Sequence, residues 1–145
     1  MHAKVLNDHG ERTYAVIFES GDEVVSGLTR FAESENLTAT RFTAIGAFSD
    51  AVLGYYDLDR KEYERIPVCE QVEVVSLIGD VALDGRRPKI HAHVVLGLRD
   101  GSARGGHLLE GHVRPTLEVI LTESPNYLKR EFDPESGLAL IRIGE

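Results

Sequence analysis

Residues 90–108 read Ile-His-Ala-His-Val-Val-Leu-Gly-Leu-Arg-Asp-Gly-Ser-Ala-Arg-Gly-Gly-His-Leu, and this stretch predicts two strands joined by a hairpin turn. Val94, Val95, Leu96 and Leu98 form a short apolar run, which is typical of a buried strand. Asp100-Gly101 is a dipeptide that favours hairpin turns. A second strand is therefore predicted to begin near His107, antiparallel to the first.

Two histidines on the first of these strands predict a metal site. His91 and His93 are two residues apart, so their imidazoles point to the same face of a strand. His107 on the following strand is the candidate third ligand. Three neutral imidazoles favour Zn²⁺, with Fe, Ni or Cu as alternatives, and leave at least one coordination position open. The same spacing also fits strand histidines that only form hydrogen bonds on a half-buried surface.

The register of the hairpin decides whether His107 joins the other two histidines. A two-residue turn at Asp100-Gly101 would pair His107 with Val94 and point its ring to the wrong face. An odd loop centred on Asp100 pairs His107 directly with His93. A loop of three or five residues, or a bulge at Gly105-Gly106, would give this register.

Length and composition indicate one globular domain spanning residues 1–145, with 42% apolar and 28% charged residues. No apolar run approaches the roughly 20 residues that cross a bilayer, and the first residues lack the apolar centre of a signal peptide. We therefore expect no membrane association and a cytoplasmic location. The single cysteine, Cys69, excludes an internal disulfide.

The charge of the chain is unfavourable for nucleic-acid binding. Sixteen Lys and Arg stand against twenty-four Asp and Glu, a formal net charge of −8. Proteins bind duplex DNA mainly by neutralising its phosphates with a basic face. The basic cluster of Arg86, Arg87 and Lys89 surrounds Pro88, which is typical of a solvated loop before the strand that carries His91.

The remaining pattern predicts an α+β fold with a mainly antiparallel sheet and one principal packing helix. Apolar residues recur at helical spacing from Val24 to Ala32, Ser20 to Glu23 has the spacing of a capping box, and Asn36 is a plausible end. The predicted strands cover residues 4–6, 13–18, 41–45, 51–56, 61–66, 73–79, 89–98, 116–122 and 138–143, and residues 127–132 form a helical turn or a strand.

The chain resembles the plants-and-prokaryotes-conserved (PPC) domain family over nearly its whole length. The most specific motifs are His91-Ala92-His93 and Gly105-Gly106-His107-Leu108, and four other stretches support them in the family's order: residues 45–51, 54–57, 73–79 and 116–119. The resemblance implies an α+β fold that assembles as a homotrimer. It also implies a metal bound by the residues that match the family's histidines, namely His91, His93 and His107.

Plant members of this family join the domain to an AT-hook, which enters the minor groove of DNA. Such a hook requires the order Arg-Gly-Arg-Pro, whereas this chain has Gly85-Arg86-Arg87-Pro88 between two predicted strands. We therefore expect this chain alone to bind duplex DNA only weakly. A trimer of chains at −8 each would carry −24 and would repel phosphates.

Three functions fit these observations. The first is a trimeric metal-binding protein whose open coordination position accepts a small anionic or polar ligand. The second is a metal-dependent lyase or hydrolase, in which the metal lowers the pKa of bound water and Glu118 orients a ligand or accepts a proton. A glutamate that alternates in a strand is also commonly exposed to solvent without any such role. The third is a DNA-associated regulator, as the family is often labelled.

Overall fold

The computed structural model describes residues 1–7 and 10–143, which form one helix and nine strands. The predicted α+β class, mainly antiparallel with one packing helix, is confirmed. In chain order the elements are β1 (His2–Asn7), β2 (Arg12–Glu19), α1 (Val24–Glu35), β3 (Ala39–Asp57), β4 (Glu62–Val68), β5 (Val72–Asp84), β6 (Arg87–Gly97), β7 (Ala103–Glu123), β8 (Lys129–Asp133) and β9 (Leu138–Arg142).

The nine strands belong to one sheet with the order β1-β2-β7-β3-β5-β8-β9. Strand β4 pairs with β3, and β6 pairs with both β5 and β7. The pairs are antiparallel except that between β5 and β8, which is parallel. Strand β6 is thus hydrogen-bonded along both edges, which fixes the register of its side chains.

Strands β3 and β7 are longer than the sequence pattern predicts. The two predicted strands at 41–45 and 51–56 are one strand, and the predicted strand at 116–122 is the end of a strand that already contains His107. β-Bulges accommodate the turn-like residues, so that the strands continue through them. At Gly46, where φ is +154°, an added Cβ would lie 2.2 Å from the Thr116 carbonyl oxygen, so the close strand approach requires glycine.

Helix α1 forms as predicted and ends at Asn36, which adopts the left-handed conformation. The predicted capping box from Ser20 is wrong, because Glu23 itself is the N-cap. Its carboxylate accepts hydrogen bonds from the backbone N–H groups of Val25 and Ser26, at 3.0 and 2.7 Å. No helix in the described part of the chain is both long and apolar enough to cross a membrane.

The helix packs on β6 and β7 and closes the hydrophobic core behind them. Leu28 and Phe31 of the helix share this core with Val94 and Leu96 of β6. Because side chains alternate along a strand, the residues between these point to the opposite surface, which we call the outer face. Directly paired residues form one row across the outer face, in the order Ile120, Thr43, Ile78, His93 and His107.

Candidate metal centre

The β6–β7 hairpin has the register that brings His107 to His93. These two residues are directly paired, and residues 98–102 form an odd loop centred on Asp100. The loop is closed by the backbone N–H of Leu98, which donates to the Ser102 carbonyl at 2.8 Å. The Asp100 carboxylate accepts hydrogen bonds from the N–H and hydroxyl of Ser102. The predicted odd loop centred on Asp100 and its register are confirmed, and of the predicted alternatives the structure has the five-residue loop.

The three predicted ligands meet on the outer face. His91 lies two residues before His93, and Ala92 between them is buried in the core. The ring centroids are 5.0 Å apart for His91 and His93, 5.2 Å for His91 and His107, and 5.5 Å for His93 and His107. One ring nitrogen of each histidine lies within 4.8 Å of the other two. Tetrahedral zinc holds such nitrogens about 3.3 Å apart, so modest side-chain rotation fits the donor set to a metal.

The environment of the rings favours their neutral form. Burial, followed by the charges of His91 and His93, lowers the pKa of His107 to about 4. Burial, followed by the charge of His91, also holds the pKa of His93 below its ordinary value. Both imidazoles are therefore unprotonated at neutral pH, which is the state that binds metal.

Asp80 is the partner of His91 across the strand pair between β5 and β6. One oxygen of its carboxylate lies 3.6 Å from His91 Nδ1, and the other forms an ion pair with Arg130. Burial opposes the charge on Asp80, but its contacts with His91 and Arg130 hold the pKa of this carboxyl below its ordinary value. Neither Asp80 nor Arg130 is among the site residues predicted from the sequence.

Tyr63 of β4 is the corresponding partner of His107. Its hydroxyl lies 3.5 Å from His107 Nδ1, and the two ring centroids are 4.7 Å apart. Burial raises the pKa of Tyr63, so the hydroxyl keeps its proton at neutral pH. In both His91 and His107 the Nδ1 atom thus faces a protein group, which leaves Nε2 as the nitrogen that is free for a metal.

The histidines open into a hollow of about 390 Å³ on the outer face. Ile78 and Phe42 provide apolar walls, and the guanidinium of Arg41 stands at the edge as a mainly exposed positive charge. A smaller hollow of about 150 Å³ lies on the other side, between His107 and the β8–β9 hairpin. A small molecule entering the larger hollow would meet the imidazoles of His91 and His93, the Arg41 guanidinium and the Asp80 carboxylate.

Glu118 lies on the outer face but not beside the histidines. It pairs with Ile45 on β3, and it lines a separate hollow that also contains Glu73. Three strand spacings of about 4.8 Å separate it from β6 along the sheet, through β3 and β5. The structure does not bring Glu118 to the histidines within this chain, and its role as a proton acceptor stays a prediction.

Two other groups named by the sequence lie outside this cluster. His112 Nδ1 contacts Asp50 at 2.7 Å, so its ring has an acidic partner of its own. In the basic cluster, Lys89 forms an ion pair with Asp84 at 2.9 Å. Arg86 lies in the two-residue turn between β5 and β6, but Arg87, Pro88 and Lys89 are the first residues of strand β6 and not part of a loop, because they pair with β5.

The sequence and fold of this chain were compared with those of known proteins. The sequence model of one protein family, the Plants and Prokaryotes Conserved (PCC) domain, matches residues 6–125. This is the family abbreviated PPC above. A search of curated proteins gave no match.

Three solved structures have the same fold. A plant- and prokaryote-conserved protein from Pyrococcus horikoshii is 34% identical, with 92% of this chain and 93% of that chain covered and a TM-score of 0.85. A metal-containing protein from Archaeoglobus fulgidus is also 34% identical, covering 97% and 99%, with a TM-score of 0.85. A protein from Ralstonia eutropha, named as a candidate DNA-binding protein, is 30% identical, covering 90% and 91%, with a TM-score of 0.85.

Proposed function

This chain belongs to the Plants and Prokaryotes Conserved domain family, and we propose that it is a metal-binding member with an open site for a small anionic or polar ligand. The proposed ligands of the metal are His91, His93 and His107, and the proposed metal is Zn²⁺. The observation that carries the proposal is the convergence of one nitrogen from each ring within 4.8 Å. The similarity to a metal-containing protein of Archaeoglobus fulgidus supports it.

The arrangement of the donors explains why a ligand would bind. Three protein nitrogens leave at least one position of a tetrahedral ion open, and the ion supplies positive charge at that position. Arg41, whose guanidinium lies 3.9 Å from the Glu11 carboxylate, adds a further positive group at the edge of the same hollow. Ile78 and Phe42 provide apolar surface beside these groups. These features together favour a small anion or a polar molecule with an oxygen donor.

The proposed assembly is a homotrimer whose subunits cover the outer face. Ile45, Ile78 and Ile120 are 60%, 56% and 44% exposed on this face, although isoleucine is usually buried. Neighbouring isoleucines on one sheet surface form an apolar area of the kind that marks a protein interface. A closed ring of identical chains would bury this area without needing another partner.

Metal analysis of matched histidine variants tests the proposed site. We expect one divalent transition-metal ion per chain in the purified protein, measured by inductively coupled plasma mass spectrometry. His93→Ala should lose the ion and remain folded, because His93 is exposed and its replacement removes no packing from the core. His112→Ala is the control, since its ring contacts Asp50 away from the cluster. Equal metal content in the two variants would contradict the assignment.

DNA regulation is the alternative that the Ralstonia eutropha relative favours, because that protein is named as a candidate DNA-binding protein. The net charge of −8 opposes this alternative for the present chain.

An enzymatic role as a lyase or hydrolase would need a proton acceptor near the metal. Asp80 lies closer to the histidines than Glu118, but its contacts with His91 and Arg130 occupy both carboxylate oxygens.

A further inference from the structure

The carboxyl-terminal hairpin, β8 and β9, lies beyond residue 125, where the family match ends. It joins the rest of the sheet through two parallel pairs, Leu83 with Lys129 and Asp84 with Arg130. Leu138 and Leu140 of β9 line the smaller hollow beside His107. This hairpin therefore forms one side of the histidine site, although it is outside the part of the chain that defines the family.

Arg130 is the residue by which the hairpin reaches the site. Its side chain is 7% exposed, and its guanidinium forms an ion pair with Asp80. The same guanidinium donates a hydrogen bond to the Ala139 carbonyl at 3.2 Å, while its Nε has no protein partner. A buried, incompletely paired guanidinium is costly compared with a well-packed apolar side chain. The position of Arg130 therefore suggests a role beyond holding the hairpin.

Asp80, the ion-pair partner of Arg130, also contacts His91, a proposed metal ligand. Asp80 uses one carboxylate oxygen for Arg130 and presents the other to His91 Nδ1 at 3.6 Å. That distance is about half an ångström longer than a normal hydrogen bond, so the contact is electrostatic. A carboxylate behind a histidine fixes which ring nitrogen carries the proton and which remains free for a metal.

We infer that Arg130 and Asp80 are positioning residues that prepare His91 to bind metal. Arg130 holds the Asp80 carboxylate in one orientation, and Asp80 holds the Nδ1 proton of His91, so that Nε2 faces the other two histidines. Tyr63 holds Nδ1 of His107 in a comparable position, at 3.5 Å. The inference rests on the proposed metal function, and it assigns a role in that function to a hairpin outside the family match.

A cycle of three variants tests this inference through metal affinity. Arg130→Met, Asp80→Asn and the double variant are titrated with Zn²⁺ against a competing chelator. We expect each single variant to bind Zn²⁺ about tenfold more weakly, the lower end of the effect of residues that orient metal ligands. The double variant should bind no more weakly than the single variants, because both substitutions interrupt one chain of contacts.

Arg142→Met is the matched control for disturbance of the hairpin. Arg142 lies on β9 and forms an exposed ion pair with Asp133 at 3.2 Å, away from His91. We expect its Zn²⁺ affinity to equal that of the original protein. Circular dichroism and thermal unfolding of every metal-free variant establish that the compared proteins are folded.

Nuclear magnetic resonance of the histidine rings gives a second test that does not depend on the folding of any variant. In the zinc-loaded original protein, ¹⁵N shifts should show His91 protonated at Nδ1 and coordinated through Nε2. Coordination through Nδ1, or unchanged affinity in folded Arg130→Met, would overturn the inference while leaving three-histidine binding intact. Absence of any Zn²⁺ binding by the original protein would instead overturn the proposed function itself.

Discussion

The two hairpins beside the candidate site are attached to the sheet in different ways. The β6–β7 hairpin carries all three histidines, and β6 is paired along both of its edges. The β8–β9 hairpin is joined to β5 by two residue pairs and by the buried ion pair of Arg130. The comparison indicates that strand register places the histidines and Asp80, whereas a contact between distant segments places Arg130.

The largest expected effect comes from changing the register of the β6–β7 hairpin. Insertion of one glycine after Gly101 would move His107 out of its pair with His93 and turn its ring to the other face. We expect Zn²⁺ affinity to fall by at least about a hundredfold, since two ligands remain. The control is one glycine inserted after Ser136, in the turn between β8 and β9. Similar affinities for the two insertions, measured by chelator competition, would show that register does not place the site.

The outer face provides the next test, because it joins the histidines to the exposed isoleucines. Light scattering of the original protein should give the mass of three chains. Ile78→Asp places a charge in the apolar area and should dissociate the assembly. Leu58→Asp is the control, because Leu58 is 63% exposed at the turn after β3 and lies away from this area. A stable monomer mass for the original protein over a wide concentration range would exclude the trimer.

The pKa of His107 predicts a moderate loss of stability in acid. The unfolded ring takes up a proton near pH 6.5, but the folded ring does so only near pH 4. Protonation therefore favours the unfolded chain, and the free energy of unfolding of the metal-free protein should fall between these values as pH decreases. Urea denaturation across this range measures the slope. His107→Ala should reduce it, whereas His112→Ala should retain it; equal slopes in the two variants would contradict the prediction.

The smallest expected effect concerns DNA. Binding to a duplex at about 150 mM salt should be weaker than micromolar, because the chain carries an excess of negative charge. Replacing Arg86 and Arg87 with alanine should then change little. A fluorescence-anisotropy titration that gave sub-micromolar affinity, with a steep salt dependence lost in this double variant, would show that the chain is a DNA-binding protein.

The sequence predicted the part of the site that depends on local pattern. Alternation placed His91 and His93 on one face, and the odd loop around Asp100 gave the correct register for His107. Asp80 was also within reach of such reasoning, because a two-residue turn at 85–86 pairs it with His91. The relevant signal was the turn after β5.

Other parts of the structure depend on contacts that the sequence pattern does not contain. Strands β3 and β7 continue through bulges, so turn-like residues such as Gly46 suggested strand ends that do not exist. Arg130 and Tyr63 reach the histidines from separate strand pairs, and their spacing along the chain carries no sign of this. Glu118 was selected because the predicted strand 116–122 could bring it near the metal, but the width of the sheet separates it from the histidines.

X-ray absorption spectroscopy of the zinc-loaded protein tests the central claim most directly. Three histidine ligands predict a shell of nitrogen or oxygen atoms at about 2.0–2.1 Å, with the multiple-scattering pattern of three imidazoles and one further light atom. His93→Ala loaded at the same metal ratio should lose one imidazole from this pattern, and His112→Ala should keep all three. A sulfur shell near 2.3 Å, which would implicate the exposed Cys69, or a shell of oxygen atoms without imidazole scattering would contradict the three-histidine site.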